Sequence, residues 1–173
     1  MINNHHKNRI YIGVIGAGKC NDENYKKAFN LGKQIADNDA VVVCGGKSGI
    51  MQAVCEGTKK YGGVSIGILP EPNRDKANEY LSFSLTTGMG QARNFMIVTS
   101  SDVIIAVSGG YGTLSEIAMA QKHSKPTIIL DSWPLSKIEY NFDRSLLYNA
   151  KNTKEAVKKA MKLGKMYGKN KSN

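Results

Sequence analysis

The segment Ser108–Glu116 combines glycines, a hydroxyl and a carboxylate in a spacing that suits a phosphorylated ligand. It follows an apolar stretch, Asp102–Val107, and begins a predicted helix, whose free N–H groups and positive end would bind an anion. Thr113 can add a hydroxyl donor. Glu116 lies one turn into the helix, where an acid is also favoured by the helix dipole. If it lines the site, we expect it to face a ribose hydroxyl, because a phosphate would repel it. The candidate phosphate-binding residues here are Ser108, Gly109, Gly110, Tyr111, Gly112 and Thr113.

Two further glycine turns follow apolar stretches earlier in the chain, Gly16-Ala17-Gly18 and Gly45-Gly46. The first begins like the dinucleotide motif G-x-G-x-x-G, but Asn21 stands where the third glycine is needed. The second leads into the Gly-Lys-Ser that ends a P-loop, but Val41 stands where that motif needs its first glycine. The sequence therefore predicts neither a classical dinucleotide site nor a Walker site, and both turns are candidates for a smaller phosphorylated ligand.

Apolar stretches alternate with amphipathic helical patterns, which predicts the elements that position these turns. Strands that are apolar throughout are typical of a parallel sheet covered on both faces. We therefore expect an α/β fold of the Rossmann-like, doubly wound type, with a mostly parallel sheet and helices on both faces. Ligands in such folds bind outside the carboxyl ends of the strands, where all three glycine turns fall. Tight packing is the other explanation for the glycines, but three turns at three strand ends favour a ligand. The predicted strands are Arg9–Ile15, Ala40–Cys44, Val64–Leu69, Tyr80–Thr86, Asp102–Val107, Thr127–Leu130 and Leu146–Tyr148.

The length of 173 residues suits one domain. We predict a flexible N-terminus at 1–8, a single domain at 9–165 and a basic flexible tail at 166–173. The net charge is +10, and the chain from Lys151 onward contributes +7 of it. Because the basicity is mostly terminal, we interpret it as a solubilising face rather than a nucleic-acid site.

Composition also limits the classes of function. The three cysteines form no C-x-x-C pair, so we expect no disulfide framework, no metal site and a reducing compartment, the cytoplasm. No apolar run approaches the roughly 20 residues that span a bilayer, so we expect no membrane partner. Nothing in the sequence calls for a resident cofactor.

The chain resembles the LOG family, also called lysine decarboxylase-like proteins, within the SLOG superfamily of Rossmann-like nucleotide-binding proteins. Ser108–Glu116 is similar to the family signature P-G-G-x-G-T-x-x-E, and Gly88–Asn94 is similar to its arginine-containing motif. Cys44–Met51 matches its earlier glycine turn, which adds Gly49 and Met51 to the candidate ligand-binding residues. The resemblance runs from about Arg9 to Leu163, and the most similar pattern is the branch of small proteins that includes molybdenum cofactor carriers.

The resemblance implies a phosphoribohydrolase, which cleaves the N-glycosidic bond between a base and ribose 5′-monophosphate. The family's functional arginine and glutamate correspond to Arg93 and Glu116. A carboxylate near the ribose can stabilise the positive charge of an oxocarbenium-like transition state or align water, and an arginine can bind phosphate and orient that carboxylate. Two positions depart from the family pattern. Ser108 replaces the proline of the signature, and Asn94 replaces a lysine after the arginine.

Three functions remain open. The first is the hydrolase, acting on a nucleoside 5′-monophosphate. The second is a binding protein without turnover, either a nucleotide sensor or a carrier of a pterin phosphate such as molybdenum cofactor. Arg93 with Glu116 favours the hydrolase, whereas Asn94 favours the carrier. The third, binding of single-stranded DNA, ranks last because aromatic residues are only 8% of the chain and the lysines are terminal.

The resemblance also implies a homo-oligomer, a dimer or a tetramer. Ala118, Met119, Trp133 and Leu135 are candidates for its interface, with core packing as the alternative that we favour for Ala118. Base recognition would depend on loops such as Glu71–Glu79. The sequence leaves open whether Lys47 or Arg74 contacts the ligand.

Overall fold

The computed structural model describes residues 9–135 and 145–168. Alternating strands and helices fill these ranges in the order that the hydrophobic pattern predicts. The strands are β1 (Tyr11–Gly16), β2 (Val41–Cys44), β3 (Val64–Leu69), β4 (Phe83–Thr86), β5 (Val103–Val107), β6 (Thr127–Leu130) and β7 (Leu147–Asn149). The helices are α1 (Asp22–Asp37), α2 (Ile50–Lys60), α3 (Asn94–Thr99), α4 (Tyr111–Lys122) and α5 (Thr153–Gly168), and a 3₁₀ helix (Gly90–Arg93) precedes α3.

The strands form one sheet in the order β4-β3-β2-β1-β5-β6-β7, and each described pair is parallel. The order reverses at β1, so the chain winds outward in both directions from the centre. Two separate clusters of buried side chains cover the two faces. The predicted α/β, Rossmann-like, doubly wound fold is confirmed, and the sheet is parallel throughout.

Local sequence explains where the first and last helices begin. Asn21 precedes α1, and its side-chain oxygen accepts a hydrogen bond from the Asn24 N–H at 2.9 Å. Asn152 caps α5 in the same way, accepting from the Glu155 N–H at 2.9 Å. The Glu155 carboxylate in turn accepts from the Lys151 N–H at 2.9 Å, one residue before the cap. These contacts satisfy N–H groups that a helix start leaves without partners.

Several predicted boundaries need correction. Apolar spacing over Gly90–Ser100 predicts one helix, whereas the structure has a 3₁₀ helix that begins at Gly90, with a φ of 56°, followed by the short helix α3. The strand predicted at Tyr80–Thr86 begins only at Phe83. The prediction that Ala118 packs in the core is wrong, because this residue is exposed on α4.

The predicted domain boundaries stay predictions. The N-terminus at 1–8 lies outside the described residues, as do positions 169–173 of the predicted tail, whereas α5 itself extends to Gly168. Within the described ranges, no helix is both long and apolar enough to cross a membrane. The same ranges contain no group of three or more metal-ligating side chains.

Candidate functional site

A cavity of about 430 Å³ opens where the turns after β1, β2 and β5 meet at the carboxyl edge of the sheet. This is the crevice beside the point where the strand order reverses, which is the usual ligand position in such folds. The lining residues are Val14, Ile15, Gly16, Ala17, Gly18, Gly45, Lys47, Ser48, Met51, Gln91, Arg93, Asn94, Gly110, Gly112, Thr113 and Glu116.

The first two glycine turns are bonded to each other. The Ile50 N–H donates to the Ala17 carbonyl at 3.0 Å, and the Ser48 hydroxyl donates to the Gly18 carbonyl at 2.8 Å. Gly49 makes this contact possible, because it has a φ of 68° and a Cβ there would lie 2.4 Å from the Ala17 oxygen. Gly49 therefore has a structural role and does not line the cavity.

The third turn opens α4 without a side-chain cap. Gly110 is the N-cap residue and makes no side-chain hydrogen bond, so the first N–H groups of the helix are available to a ligand. A Cβ added at Gly110 or Gly112 would meet no atom within 4 Å, so both positions leave open space beside the helix start. Gly109 has a φ of 122°, and the Thr113 side chain packs where its Cβ would be. The geometry matches that of an anion-binding helix start.

Ser108, the position where the family signature has proline, has a backbone that proline cannot adopt. Its φ is 54°, whereas a proline ring fixes φ near −65°. Its N–H also donates to the Asp131 carbonyl at 3.1 Å, a bond that proline lacks. The Ser132 hydroxyl donates to the Ser108 carbonyl. The replacement of proline by serine therefore accompanies a different backbone conformation at the end of β5.

Arg93 and Glu116, the two predicted catalytic residues, lie together in the cavity lining. Arg93 Nη1 is 3.9 Å from Glu116 Oε1, and only 7% and 9% of the two side chains are exposed. Arg93 Nε is buried without a hydrogen-bond partner among the described residues. The Gly45 carbonyl accepts weakly from Arg93 Nη2 at 3.5 Å. A Cβ at Gly45 would lie 2.5 Å from Nη2, so a larger residue there would displace the guanidinium.

Burial controls the charge state of this pair. Desolvation raises the pKa of Glu116 from 4.5 to about 7, although the nearby Arg93 opposes the shift. Desolvation also lowers the pKa of Arg93, and Glu116 partly restores it. A guanidinium still stays protonated at neutral pH. The site therefore holds a fixed positive charge beside a carboxyl that titrates near neutrality, as acid–base residues in active sites do.

Asn94, the position where the family has lysine, is also buried and lines the cavity. Its side-chain oxygen accepts a hydrogen bond from Arg93 Nη1. Asn94 therefore orients the guanidinium without adding charge, and the second cation of the family motif is missing from this element.

The structure brings most of the predicted site residues together and separates five of them from the cavity. Gly46, Gly49, Ser108, Gly109 and Tyr111 do not line it. Ser108 and Gly109 line a smaller neighbouring cavity of about 280 Å³ instead. Tyr111 is 84% exposed, although it begins α4.

Six lining residues were left open or missed from the sequence, namely Val14, Ile15, Lys47, Ser48, Gln91 and Asn94. Ser48 and Gln91 lie within the family-like motifs Cys44–Met51 and Gly88–Asn94. Their positions next to Gly49 and close to Arg93 were the sequence signal that could have identified them as lining residues. Lys47 lines the cavity and forms an ion pair with Glu71, Nζ to Oε1 2.6 Å. Arg74 does not line it; its Nε donates to the Ser84 hydroxyl at 3.2 Å, and the residue is exposed.

The family model described as the SLOG cluster4 family matches residues 9–160. The chain belongs to this family, and the predicted resemblance to LOG-like proteins is confirmed. An uncharacterized protein of Archaeoglobus fulgidus is 47% identical over 116 residues, covering 67% of this chain and 76% of that protein. A probable cytokinin riboside 5′-monophosphate phosphoribohydrolase of Oryza sativa subsp. japonica is 34% identical over 113 residues, or 60% of this chain. The match spans half of the rice protein's length.

The molybdenum cofactor binding protein of Rippkaea orientalis has a similar structure along nearly its whole length. Its TM-score is 0.84 and its identity 34%, with coverage of 90% of this chain and 97% of that chain. The predicted placement in a branch that includes molybdenum cofactor carriers is confirmed by this similarity.

Proposed function

We propose that this protein is a phosphoribohydrolase that cleaves the N-glycosidic bond of a nucleoside 5′-monophosphate. The observation that carries the proposal is the buried pair of Arg93 and Glu116, with 3.9 Å between Nη1 and Oε1, in a cavity bordered by glycine turns. Burial of this carboxyl disfavours its charged form and raises its pKa to about 7, as expected of an acid–base residue in an active site. Similarity to the rice phosphoribohydrolase supports the same reaction.

The ligand phosphate is proposed to bind at the start of α4. The helix dipole and the uncapped N–H groups after Gly110 attract an anion there. The hydroxyl of Thr113, which also lines the cavity, adds a donor. Glu116 follows one turn later on the same helix, so a phosphate at the helix start leaves the ribose near the carboxyl.

Glu116 then acts on the ribose in its carboxylate form. Departure of the base leaves positive charge on the ring, which a carboxylate in a poorly solvated site stabilises strongly. The same carboxylate can align the attacking water. Arg93 stays charged and favours the ionised form of Glu116, against the desolvation that disfavours it. The reaction adds water across the bond, yielding free base and ribose 5-phosphate.

The test is to incubate the purified protein with a panel of nucleoside 5′-monophosphates and assay free base and ribose 5-phosphate. We expect release by the wild type, and its loss in Glu116→Gln. The matched control is Glu23→Gln on α1, whose side chain is 81% exposed and is not part of the cavity lining. Equal release by Glu116→Gln and wild type would contradict the assignment of Glu116.

A second candidate function is carriage of a pterin phosphate such as molybdenum cofactor, without turnover. Two observations favour it. The similar Rippkaea orientalis structure is that of a molybdenum cofactor binding protein, and the lysine of the family motif is replaced here by Asn94. Binding of a nucleotide or pterin phosphate with no release of base from any nucleotide would favour the carrier, or a nucleotide sensor, over the hydrolase.

We also propose that the chain forms a homo-oligomer, either a dimer or a tetramer. Of the candidates for the interface, Ala118 is exposed on α4, and Met119 and Trp133 are half-buried, so these three keep apolar surface that a second copy could cover. Leu135 is 8% exposed and packs in the core, which removes it from the candidate interface. Light scattering coupled to size exclusion would give the subunit number, and a monomer would contradict the proposal. The three free cysteines fit a reducing compartment such as the cytoplasm.

A further inference from the structure

Lys47 is the second cation that lines the cavity, besides Arg93. Its Nζ lies 2.6 Å from Glu71 Oε1, and the two side chains are 34% and 20% exposed. The backbone of its turn is held by Asn78, whose N–H donates to the Gly46 carbonyl at 2.9 Å and whose side chain donates to the Lys47 carbonyl at 3.1 Å. Lys47 is therefore a half-buried, fixed cation at the edge of the site.

Lys47 and the start of α4 lie on opposite sides of the cavity. Lys47 follows β2 and α4 follows β5, and these two strands flank β1. Neighbouring strands are about 4.8 Å apart, so the two turns are separated by about 10 Å. Arg93 pairs with Glu116 and also contacts the Gly45 carbonyl near Lys47, so a ligand with its phosphate at α4 and its ribose beside Glu116 would place its heterocycle on the Lys47 side. The position of Lys47 thus suits the base end of the ligand rather than its phosphate end.

We propose that Lys47 contacts the heterocycle and selects ligands that present an exocyclic oxo group to it. This inference rests on the proposed position of the phosphate at α4. An ammonium group has only hydrogen-bond donors, so it can bind an oxo group, which accepts. An exocyclic amino group at the same ring position is also a donor, so its binding there is disfavoured. Hypoxanthine, guanine, uracil and pterins carry such an oxo group, whereas adenine carries an amino group.

Glu71 is the positioning residue for Lys47. Its Oε1 holds the ammonium group, and the hydrogen bond from Lys47 lowers the pKa of the carboxyl, which keeps it ionised. Its Oε2 is buried without a hydrogen-bond partner among the described residues. Glu71 does not line the cavity itself, so its effect on the ligand acts through Lys47.

Inosine and adenosine 5′-monophosphates test this inference, because they differ in an oxo or an amino group at ring position 6 and otherwise only in the proton that N1 carries in hypoxanthine. Their dissociation constants, and that of ribose 5-phosphate, are measured by titration calorimetry in a Glu116→Gln parent, which prevents hydrolysis. We expect the inosine nucleotide to bind about tenfold more tightly than the adenosine nucleotide, as a charge-assisted hydrogen bond allows. Lys47→Met should abolish this preference and leave ribose 5-phosphate binding within about twofold.

Two further variants make the test specific. Lys159→Met is the matched control, because Lys159 forms a similarly half-buried pair with Glu155, Nζ to Oε1 2.7 Å, on α5. It should leave all three dissociation constants unchanged. Glu71→Gln should weaken the preference, and the double variant with Lys47→Met should be no worse than Lys47→Met alone, since Glu71 acts through Lys47.

Three outcomes would overturn the inference. The first is that the Glu116→Gln parent binds both nucleotides equally, and the second is that Lys47→Met leaves the preference intact. The third is that Lys47→Met weakens the binding of ribose 5-phosphate as much as that of the inosine nucleotide, which would mean that Lys47 contacts the phosphate. Each of these leaves the hydrolase proposal standing. A parent that binds neither nucleotide nor ribose 5-phosphate would overturn the proposed function and this inference together.

Discussion

Arg93 Nη1 and Glu116 Oε1 lie 3.9 Å apart although they come from different elements, the 3₁₀ helix before α3 and the second turn of α4. The separation exceeds hydrogen-bond distance, so the pair is close enough to interact electrostatically but leaves the carboxyl oxygens free for a ligand. Substitutions of these two residues, and of the turns around them, should therefore change catalytic activity and the free energy of unfolding by different amounts and in different directions.

Glu116→Gln should lower turnover by about 100-fold or more, because it removes the carboxylate from the charged transition state. The same change should stabilise the fold at pH 8, where the wild-type protein holds a buried carboxylate against the cost of desolvation. The gain should be about 3 kcal/mol at most, measured by urea unfolding. A variant that is both inactive and less stable at pH 8 would contradict this account.

The stability of the wild type should depend on pH in a window set by Glu116. The folded chain binds the proton with a pKa of about 7, against an ordinary value of 4.5. Between these values the folded state holds more protons than the unfolded state, so the free energy of unfolding should fall as pH rises from about 4.5 to about 7 and then level off. Carbon-13 NMR of the carboxyl gives its pKa, with Glu116→Gln assigning the signal. A value near 4.5 would contradict the desolvation of Glu116 and the pH dependence expected from it.

Gly45→Ala should weaken ligand binding by displacing Arg93. The new Cβ would lie 2.5 Å from Arg93 Nη2 and 2.7 Å from Met51 Sδ. Both atoms are the far ends of flexible side chains, so we expect the guanidinium to move and the stability to fall by only about 1 kcal/mol. Titration calorimetry with a nucleoside 5′-monophosphate measures the affinity, and thermal unfolding measures the stability. An affinity equal to that of the wild type would contradict the placement of Arg93 beside Gly45.

Ser108→Pro should destabilise the protein even though it restores the family signature. Proline cannot adopt the φ of 54° at this position and cannot donate to the Asp131 carbonyl. A cost of about 3 kcal/mol is expected from the backbone strain and the lost hydrogen bond. Ser108→Gly accepts this φ and keeps the N–H, so it should unfold at nearly the wild-type urea concentration. A stable proline variant would show that the turn can take another conformation.

Strand positions were predictable where proline or glycine marks their ends. β3 and β6 match their predicted residues because Pro70 ends the first and Pro126 precedes the second. The 3₁₀ form of the turn at Gly90–Arg93 was not predictable, because apolar spacing does not distinguish a 3₁₀ turn from an α-helical one. Burial of Ala118 was predicted wrongly because alanine is compatible with either face of a helix.

The candidate site could be predicted only in part. The convergence of three glycine turns follows from a parallel sheet, since each turn lies at a carboxyl end. Arg93 came from the resemblance alone, and its position under Gly45 depends on a contact 48 residues apart in sequence. Whether Lys47 contacts the ligand could not be predicted, because its partner Glu71 is 24 residues away in sequence. Local spacing carries no information about a contact over that separation.

The bonds that join the first two turns have a consequence for ligand affinity. The Ile50 N–H and the Ser48 hydroxyl bind the carbonyls of Ala17 and Gly18, so two walls of the cavity are already rigid before any ligand arrives. Little conformational entropy should then be lost on this side when a ligand binds, and the affinity can approach what the contacts alone supply. The amide of Ile50 should accordingly exchange slowly with deuterium whether or not the cavity is filled.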